Sequence, residues 1–271
     1  VMGRAPWRAD IENNGVTISL RAIPVRRQRE RIGAILLCRD VTELRHQERA
    51  LITKDATIRE IHHRVKNNLQ TISSLLRLQA RRLESPEAKA AVAESVRRIR
   101  TIALVHETLS REPGDDVAFI EIVRPLLRLV EESLQSPERP MRFMVVGDGG
   151  RLAATVVTPL SVVLTELLQN AVDHGFPEGD GGGNVAVRLH VEETELQIAV
   201  IDDGRGIPAD FKLADAKGLG LSIVRTLVTT ELAGTIEMRP ARADELAEVE
   251  FVPRDGNAGT VILLRVPLQS D

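Results

Sequence analysis

Glu60-Ile61-His62-His63-Arg64-Val65-Lys66-Asn67-Asn68-Leu69-Gln70 brings a histidine pair, cations and amides together in one short segment. An imidazole carries an unprotonated ring nitrogen near neutral pH. A partly exposed histidine on a rigid element is therefore a competent nucleophile for a phosphoryl group. Ile58, Ile61, Val65, Leu69, Ile72, Leu75 and Leu76 recur at helical spacing around the pair. They draw one apolar stripe, with His63 projecting from the face beside it. The plainer reading, two ordinary surface histidines, stands until other chemistry is found downstream.

Glu166 and Asn170 lie four residues apart within the apolar segment Thr158–Val172 and so share a helix face. A carboxylate and an amide on a largely buried helix are costly unless they bind something. A magnesium ion carried by a nucleotide suits them, and a cap or a surface pair is the alternative. Ile201-Asp202-Asp203-Gly204-Arg205-Gly206 closes a strand with an acidic pair and a glycine turn. Asp202 can accept a hydrogen bond from an exocyclic amine such as that of adenine, and Gly204 and Gly206 permit close backbone approach. An ordinary Asp-Gly turn would read the same. Gly218 and Gly220 open an apolar helix and offer backbone N–H groups and the positive helix end to an anion. The polar stretch 209–217 has the character of a lid, with Lys217 placed to reach a phosphate. Gly259-Thr260 adds a contact before the last strand, whereas the glycine-rich turn 179–183 lacks the Lys-Ser/Thr of a phosphate loop.

These groups need elements to position them. Val16–Ile23 and Arg31–Cys38 read as strands, with the turn Asn13-Asn14-Gly15 ahead of the first and the charged connection 26–30 between them. The strands run into a helix from about Thr42 to Leu83. Ser85-Pro86 breaks that helix and opens a second one to about Leu109. Two helices with one apolar face each predict a hairpin that pairs with a second copy into a four-helix bundle. Residues 111–116 read as a linker. Beyond it, helices at Phe119–Leu134, Thr158–Val172 and Gly218–Leu232 are expected. They alternate with strands at Arg142–Val146, Val185–Val191, Leu196–Ile201, Gly234–Met238 and Gly259–Val266. The fold class is α+β, with helices layered on one sheet face.

Composition narrows the function. The 271 residues are 43% hydrophobic, enough for one or two cores, and the net charge of -3 exerts no bulk attraction on nucleic acid. Aromatic content of 2% leaves no platform for stacking bases. No apolar run reaches the roughly 18–20 residues of a bilayer span. The single Cys38 is expected as a reduced core thiol in a strand. A soluble cytoplasmic protein, the C-terminal part of something longer, is the expectation.

In this order and spacing, the Glu166–Asn170, Asp202–Gly206 and Gly218–Gly220 boxes resemble those of the GHKL-type ATPase domain. With His63-Arg64-Val65-Lys66-Asn67-Asn68 ahead of them, the chain resembles a sensor histidine kinase of the second HisKA-type subclass over about Leu51–Pro267. The leading strands and the Asp40-Val41-Thr42 step are similar to the end of a PAS domain. The resemblance implies three parts: a sensory remnant at 1–44, dimerisation and phosphoacceptor helices at 45–112, and a catalytic ATP-binding domain at 117–268. It implies His63 as phosphoacceptor, Asn170 as magnesium ligand, Glu166 as the acid that orients a proton or the attacking group, and Asp202 as adenine reader. Gly204, Gly206, Gly218 and Gly220 would form the nucleotide loops. ATP and Mg2+, a homodimer and a response-regulator receiver domain follow as cofactors and partners, with no nucleic acid and no membrane span.

Three finer expectations go with it. Glu60, on the His63 face, should hydrogen-bond one ring nitrogen and leave the other to attack. Asn67, one turn beyond, should position a water for dephosphorylating the partner. Asp173 stands where many relatives carry a base, and should weaken phosphate attraction unless it points away. The rival readings are a catalytically silent ATP-binding scaffold and another GHKL-fold ATPase or serine kinase. The His63 helix counts against the second, and the intact Asn170, Asp202 and glycines count against the first.

Overall fold

The structure is a computed structural model describing residues 7–27, 30–111, 116–134, 139–177, 182–208, 211, 218–252 and 259–268. It divides into two compact units, Val1–Ile58 and Arg59–Asp271.

In the first unit, β1 (Trp7–Asn13), β2 (Val16–Arg27) and β3 (Glu30–Asp40) form an antiparallel sheet in that order. The sequence reading missed β1 and placed Asn14-Gly15 ahead of the first strand. The pair is instead the two-residue turn of the β1–β2 hairpin, with φ of 47° and 78°, and Asn-Gly suits a turn whose twist matches the strands. Cys38 lies in β3 as expected, but it is exposed rather than buried. Ile32, Ile35, Leu36 and Leu37 of the same strand are exposed too, because no second layer among the described residues covers them.

Asp40 ends β3 and starts α1 (Thr42–Ala80). Its Oδ1 accepts from the Thr42 backbone N–H at 2.9 Å and from the Thr42 hydroxyl at 2.6 Å. The same Thr42 oxygen accepts from the Thr17 N–H at 2.8 Å. Arg45 pairs with Asp10, and Arg49 pairs with Glu12 at 2.7 Å. Strand β1 is thus pinned to the first turns of α1.

In the second unit, α1 turns back into α2 (Pro86–Leu109). Ser85 caps α2 by accepting from the Ala88 N–H at 3.2 Å, and Pro86 occupies the first turn, where its missing N–H costs nothing. Then follow β4 (Asp116–Ala118), α3 (Phe119–Leu134), β5 (Met141–Val146), β6 (Arg151–Ala153) and α4 (Ala154–Gly175). After them come β7 (Gly183–Glu192), β8 (Glu195–Asp202), α5 (Leu219–Thr226), β9 (Thr235–Pro240), α6 (Ala243–Glu248) and β10 (Thr260–Pro267). Sheet order is β5-β7-β8-β10-β9, parallel only between β5 and β7, with β4 and β6 paired separately.

The alternation of the strands sorts their residues between two cores. Val185, Val187, Leu189, Ile198, Val200, Ile262 and Leu264 join α3, α4 and α5 in the larger one. Ala186, Ala199, Ile201 and Val261 face the other way and pack on Leu246, Val249 and Phe251. Helices were expected on one face alone, but α6 covers part of the second. Its six residues are too short a run to show helical periodicity.

Other boundaries moved as well. Helix α4 begins at Ala154 rather than at Thr158-Pro159, and Pro159 sits inside it. That position is early enough that losing one donor is offset by the buried apolar face around it. The expected helix Gly218–Leu232 is α5 followed by a π-helical segment, Leu227–Glu231. Helix α4 is long and apolar enough by composition to cross a membrane, yet 67% of its apolar stretch is buried inside the fold. It is the core helix of the unit.

Candidate functional site

A cavity of about 390 Å³ lies beside the C-terminal half of α4, the end of β8 and the start of α5. Among the residues singled out from sequence, Asn170, Asp202, Gly206, Gly218, Gly220 and Thr260 line it. Apolar walls come from Ala171, Ile207, Leu221, Met238 and Ile262, with Phe211 at the loop.

Asp202 is 3% exposed at the last position of β8. Burial pushes its carboxyl up to about 7, against hydrogen bonds from the Gly204 N–H and from the hydroxyl and backbone N–H of Thr260. The Gly204 N–H bond measures 3.0 Å. A poised carboxyl at the end of a strand, facing an apolar slot, is suited to reading an amine edge. Its neighbour Asp203 turns away and accepts from the Asn184 N–H at 2.7 Å.

The glycines do different work. A Cβ on Gly204 would stand 2.5 Å from the Gly175 carbonyl oxygen, so this glycine lets the loop cross the end of α4. Gly206 has φ +73°, the left-handed region that favours glycine. A Cβ on Gly218, which lines the cavity, would meet nothing within 4 Å among the described residues. On Gly220 a Cβ would lie 2.7 Å from Glu166 Oε2.

Glu166 does not line the cavity. It is 6% exposed and accepts from Arg98 of α2, at 2.7 Å from Nε and 3.1 Å from Nη2. Arg98 also pairs with Glu94. Sequence reasoning missed Arg98 and Glu94, because nothing local ties α2 to a site 68 residues away. Asn170, one turn beyond Glu166, carries a buried Nδ2 with no partner among the described residues. Asp173 is exposed, accepts from Gln169 at 2.7 Å and does not line the cavity, so its charge points away. Lys217 and most of the expected lid lie outside the described residues.

An unpartnered carboxamide fits a divalent cation that arrives with its own phosphate ligands. The described residues hold no cluster of three or more His, Cys, Asp or Glu that would bind a cation alone. Asn170 would hold the ion through its side-chain oxygen, after a flip of the amide.

His63 sits on α1, exposed, and does not line the cavity. Glu60 does not hydrogen-bond it. Both Nε and Nη2 of Arg64 donate to Glu60 Oε1, at 3.0 and 2.7 Å. A charge-assisted fork one residue further along the same face wins over the imidazole. Asn67 is exposed, and its carbonyl accepts from the Thr71 hydroxyl at 3.0 Å. His62 turns inward, where its Nδ1 lies 2.9 Å from Nδ1 of His106 on α2. The two histidines are thereby distinguished: His62 links α1 to α2, and His63 is exposed.

Residues 60–135 match the family described as histidine kinase, and residues 155–270 match the histidine kinase-, DNA gyrase B- and HSP90-like ATPase family. Sensor histidine kinase PdtaS of Mycobacterium tuberculosis is 44% identical over 261 residues, covering 96% of this chain and 49% of that protein. A blue-light-activated histidine kinase of Rhizobium johnstonii is 26% identical over 198 residues, covering 73% of this chain and 53% of its own. The chain thus spans about half the length of these curated relatives. The fold is similar to the histidine kinase domain of a blue-light-activated kinase from Erythrobacter litoralis, with TM-score 0.53 and 22% identity over 81% of this chain and 94% of that one.

Proposed function

We propose that this chain, which belongs to the histidine kinase family, phosphorylates its own His63 from ATP and passes the phosphoryl group to an aspartate of a response-regulator receiver domain. The observation that carries the reading is one cavity lined by Asn170, Asp202, Gly218 and Thr260, in the same unit as an exposed His63.

In this reading the adenine enters the apolar slot and its amine donates to the Asp202 carboxylate. Gly206, Gly218 and Gly220 let the backbone approach the ribose and phosphates. Asn170 would hold a magnesium ion, which would supply neutralisation of phosphate charge. The lone pair of a His63 ring nitrogen forms a bond to the γ-phosphorus as the bond to the β-phosphate oxygen breaks, and ADP leaves. A receiver aspartate then displaces the imidazole from phosphorus. Proximity does most of the work, since the protein has little covalent chemistry to supply. His63 does not line the cavity, so transfer requires the catalytic domain to move relative to α1. Glu166 can act on a proton only once Arg98 releases it.

The domain reading of 1–44, 45–112 and 117–268 is part of the same proposal, with the first a PAS-like remnant. A homodimer is supported by Leu44, Leu51, Ile61, Ile72 and Leu75, all exposed along α1. Leu44, Leu51, Ile58, Val65 and Ile72 recur at intervals of seven, the repeat of a coiled-coil seam that continues into a bundle.

The test is labelling with γ-labelled ATP and magnesium beside His63→Gln and His62→Gln. Acid-labile, base-stable label lost only in His63→Gln supports the autokinase. ATP binding without any label would favour a silent scaffold.

A further inference from the structure

A second cleft, of about 450 Å³, opens between α1, α2 and Leu129 of α3, and shares no lining residue with the nucleotide cavity. Ser73 of α1 lines it, 4% exposed, and its hydroxyl has no hydrogen-bond partner among the described residues. That orientation is not the local default. On the same helix the Thr71 and Ser74 hydroxyls donate to the carbonyls four residues back, at 3.0 and 2.9 Å. Ser73 forgoes that bond, and a buried hydroxyl left without a partner is destabilising.

The charges around it point to what would satisfy it. Arg77 stands one helical turn from Ser73, and Arg100 stands on the opposing helix, both lining the cleft. Neither makes an ion pair among the described residues. The carboxylate in the cleft, Glu107, is matched by Lys66 at 2.9 Å and by Arg111 at 2.8 Å. What remains is two exposed guanidinium groups without an ion pair among the described residues and a buried hydroxyl, all lining one cleft. Planar guanidinium forks match the oxygens of a phosphate monoester.

We propose that the Ser73–Arg77–Arg100 cleft is a binding site for a phosphate-type dianion, either free phosphate or the phosphoryl group of a small phosphorylated metabolite. The bound anion ties α1 to α2 about three turns from His63, and so stiffens the hairpin that carries the phosphoacceptor.

Calorimetric titration of the whole chain, saturated with ADP and magnesium to occupy the nucleotide cavity, tests this with orthophosphate, glycerol 3-phosphate and succinate. Binding of a phosphate probe that weakens about tenfold or more in Arg77→Gln and in Arg100→Gln supports the site. Ser73→Ala should also bind more weakly while raising the melting temperature of the ligand-free protein, the opposite of a damaged fold. Preference for glycerol 3-phosphate over orthophosphate assigns a metabolite, and equal affinity assigns free phosphate. No binding of either phosphate, unchanged affinity in both arginine variants, or equal binding of succinate would overturn the proposal.

Discussion

Arg98 of α2 donates to Glu166 of α4 through Nε at 2.7 Å and Nη2 at 3.1 Å, and also pairs with Glu94. One guanidinium thus bridges an acid of the hairpin and the acid one turn from Asn170. Removing it leaves two carboxylates facing each other in a half-buried site, and burial already pushes the Glu94 carboxyl up. Arg98→Gln should destabilise the second unit by about 2–4 kcal/mol at pH 8, measured by urea unfolding. The loss should shrink as the pH falls, because the Glu94 carboxyl, raised by burial, takes up a proton. ADP affinity should hold, since Arg98 does not line the cavity. A double-mutant cycle with Glu166→Gln should return a coupling of about 1–3 kcal/mol, and additivity would show the pair to be incidental.

Asp202 gives nucleotide binding a pH dependence. Its carboxyl sits at about 7 in the nucleotide-free protein, raised by burial. In the proposed reading the adenine amine donates to the Asp202 carboxylate, so ligand binding should release a proton near neutral pH. ADP affinity should then fall by up to about tenfold per unit as the pH drops below 7. Titration in buffers of differing ionisation heat reads the proton directly, and Asp202→Asn should abolish both the release and most of the affinity. Stability of the nucleotide-free protein runs the other way. The folded state holds the proton more tightly, so Asp202's contribution is full below its ordinary value of 3.8 and is lost as pH rises through about 7.

The parts that could be read from sequence were those whose signal is local. Pro86 after Ser85 marks a helix start by its missing N–H, and β7 and β8 announce themselves by alternation. Asn170, Asp202 and the later glycines could be singled out because chemistry restricts their residue types. What escaped depends on distance or on competition. Arg98 reaches Glu166 only after the chain has folded α2 onto α4. Strands β4 and β6 have three residues each, too few for a period. Glu60 could reach either His63 or Arg64, and only the greater strength of a charged fork decides between them. Cys38 has the neighbours of a core residue but lies on a sheet without a covering layer in the described unit.

The His62–His106 contact should weaken in acid. The two Nδ1 atoms are 2.9 Å apart, so one ring donates and the other accepts. Burial first, and then a neighbouring imidazole, hold both rings below the usual histidine value of 6.5. Charging both at once would break the bond beside the Lys66–Glu107 pair. The sign follows from linkage: the unfolded chain binds protons at higher pH than the folded one. Stability is therefore full above 6.5 and falls as pH drops through the depressed folded values. Melting temperature measured between pH 8 and 5 should show this decline, and His106→Gln should flatten it. An equal decline in the variant would place the titration elsewhere.

Gly218 and Gly204 separate binding from folding. A methyl group on Gly218 meets nothing within 4 Å among the described residues, and the residue's backbone is ordinary for any amino acid, with φ -73°. Gly218→Ala should leave the melting temperature within about 2 °C of the parent, because nothing in the fold is displaced. It should nonetheless weaken ADP binding, since the methyl group intrudes into the cavity where the proposed function places the phosphates. Gly204→Ala places its methyl group 2.5 Å from the Gly175 carbonyl oxygen, a rigid backbone atom. The loop must then lift from α4, taking with it the Gly204 N–H that holds Asp202. About 2–4 kcal/mol of stability should be lost along with the nucleotide site. Denaturant unfolding and ADP titration on the two variants therefore give opposite patterns, one losing affinity alone and the other losing both. If Gly218→Ala bound ADP as the parent does, the start of α5 would not be a phosphate contact, and the cavity's polar end would have to be sought at Asn170 alone.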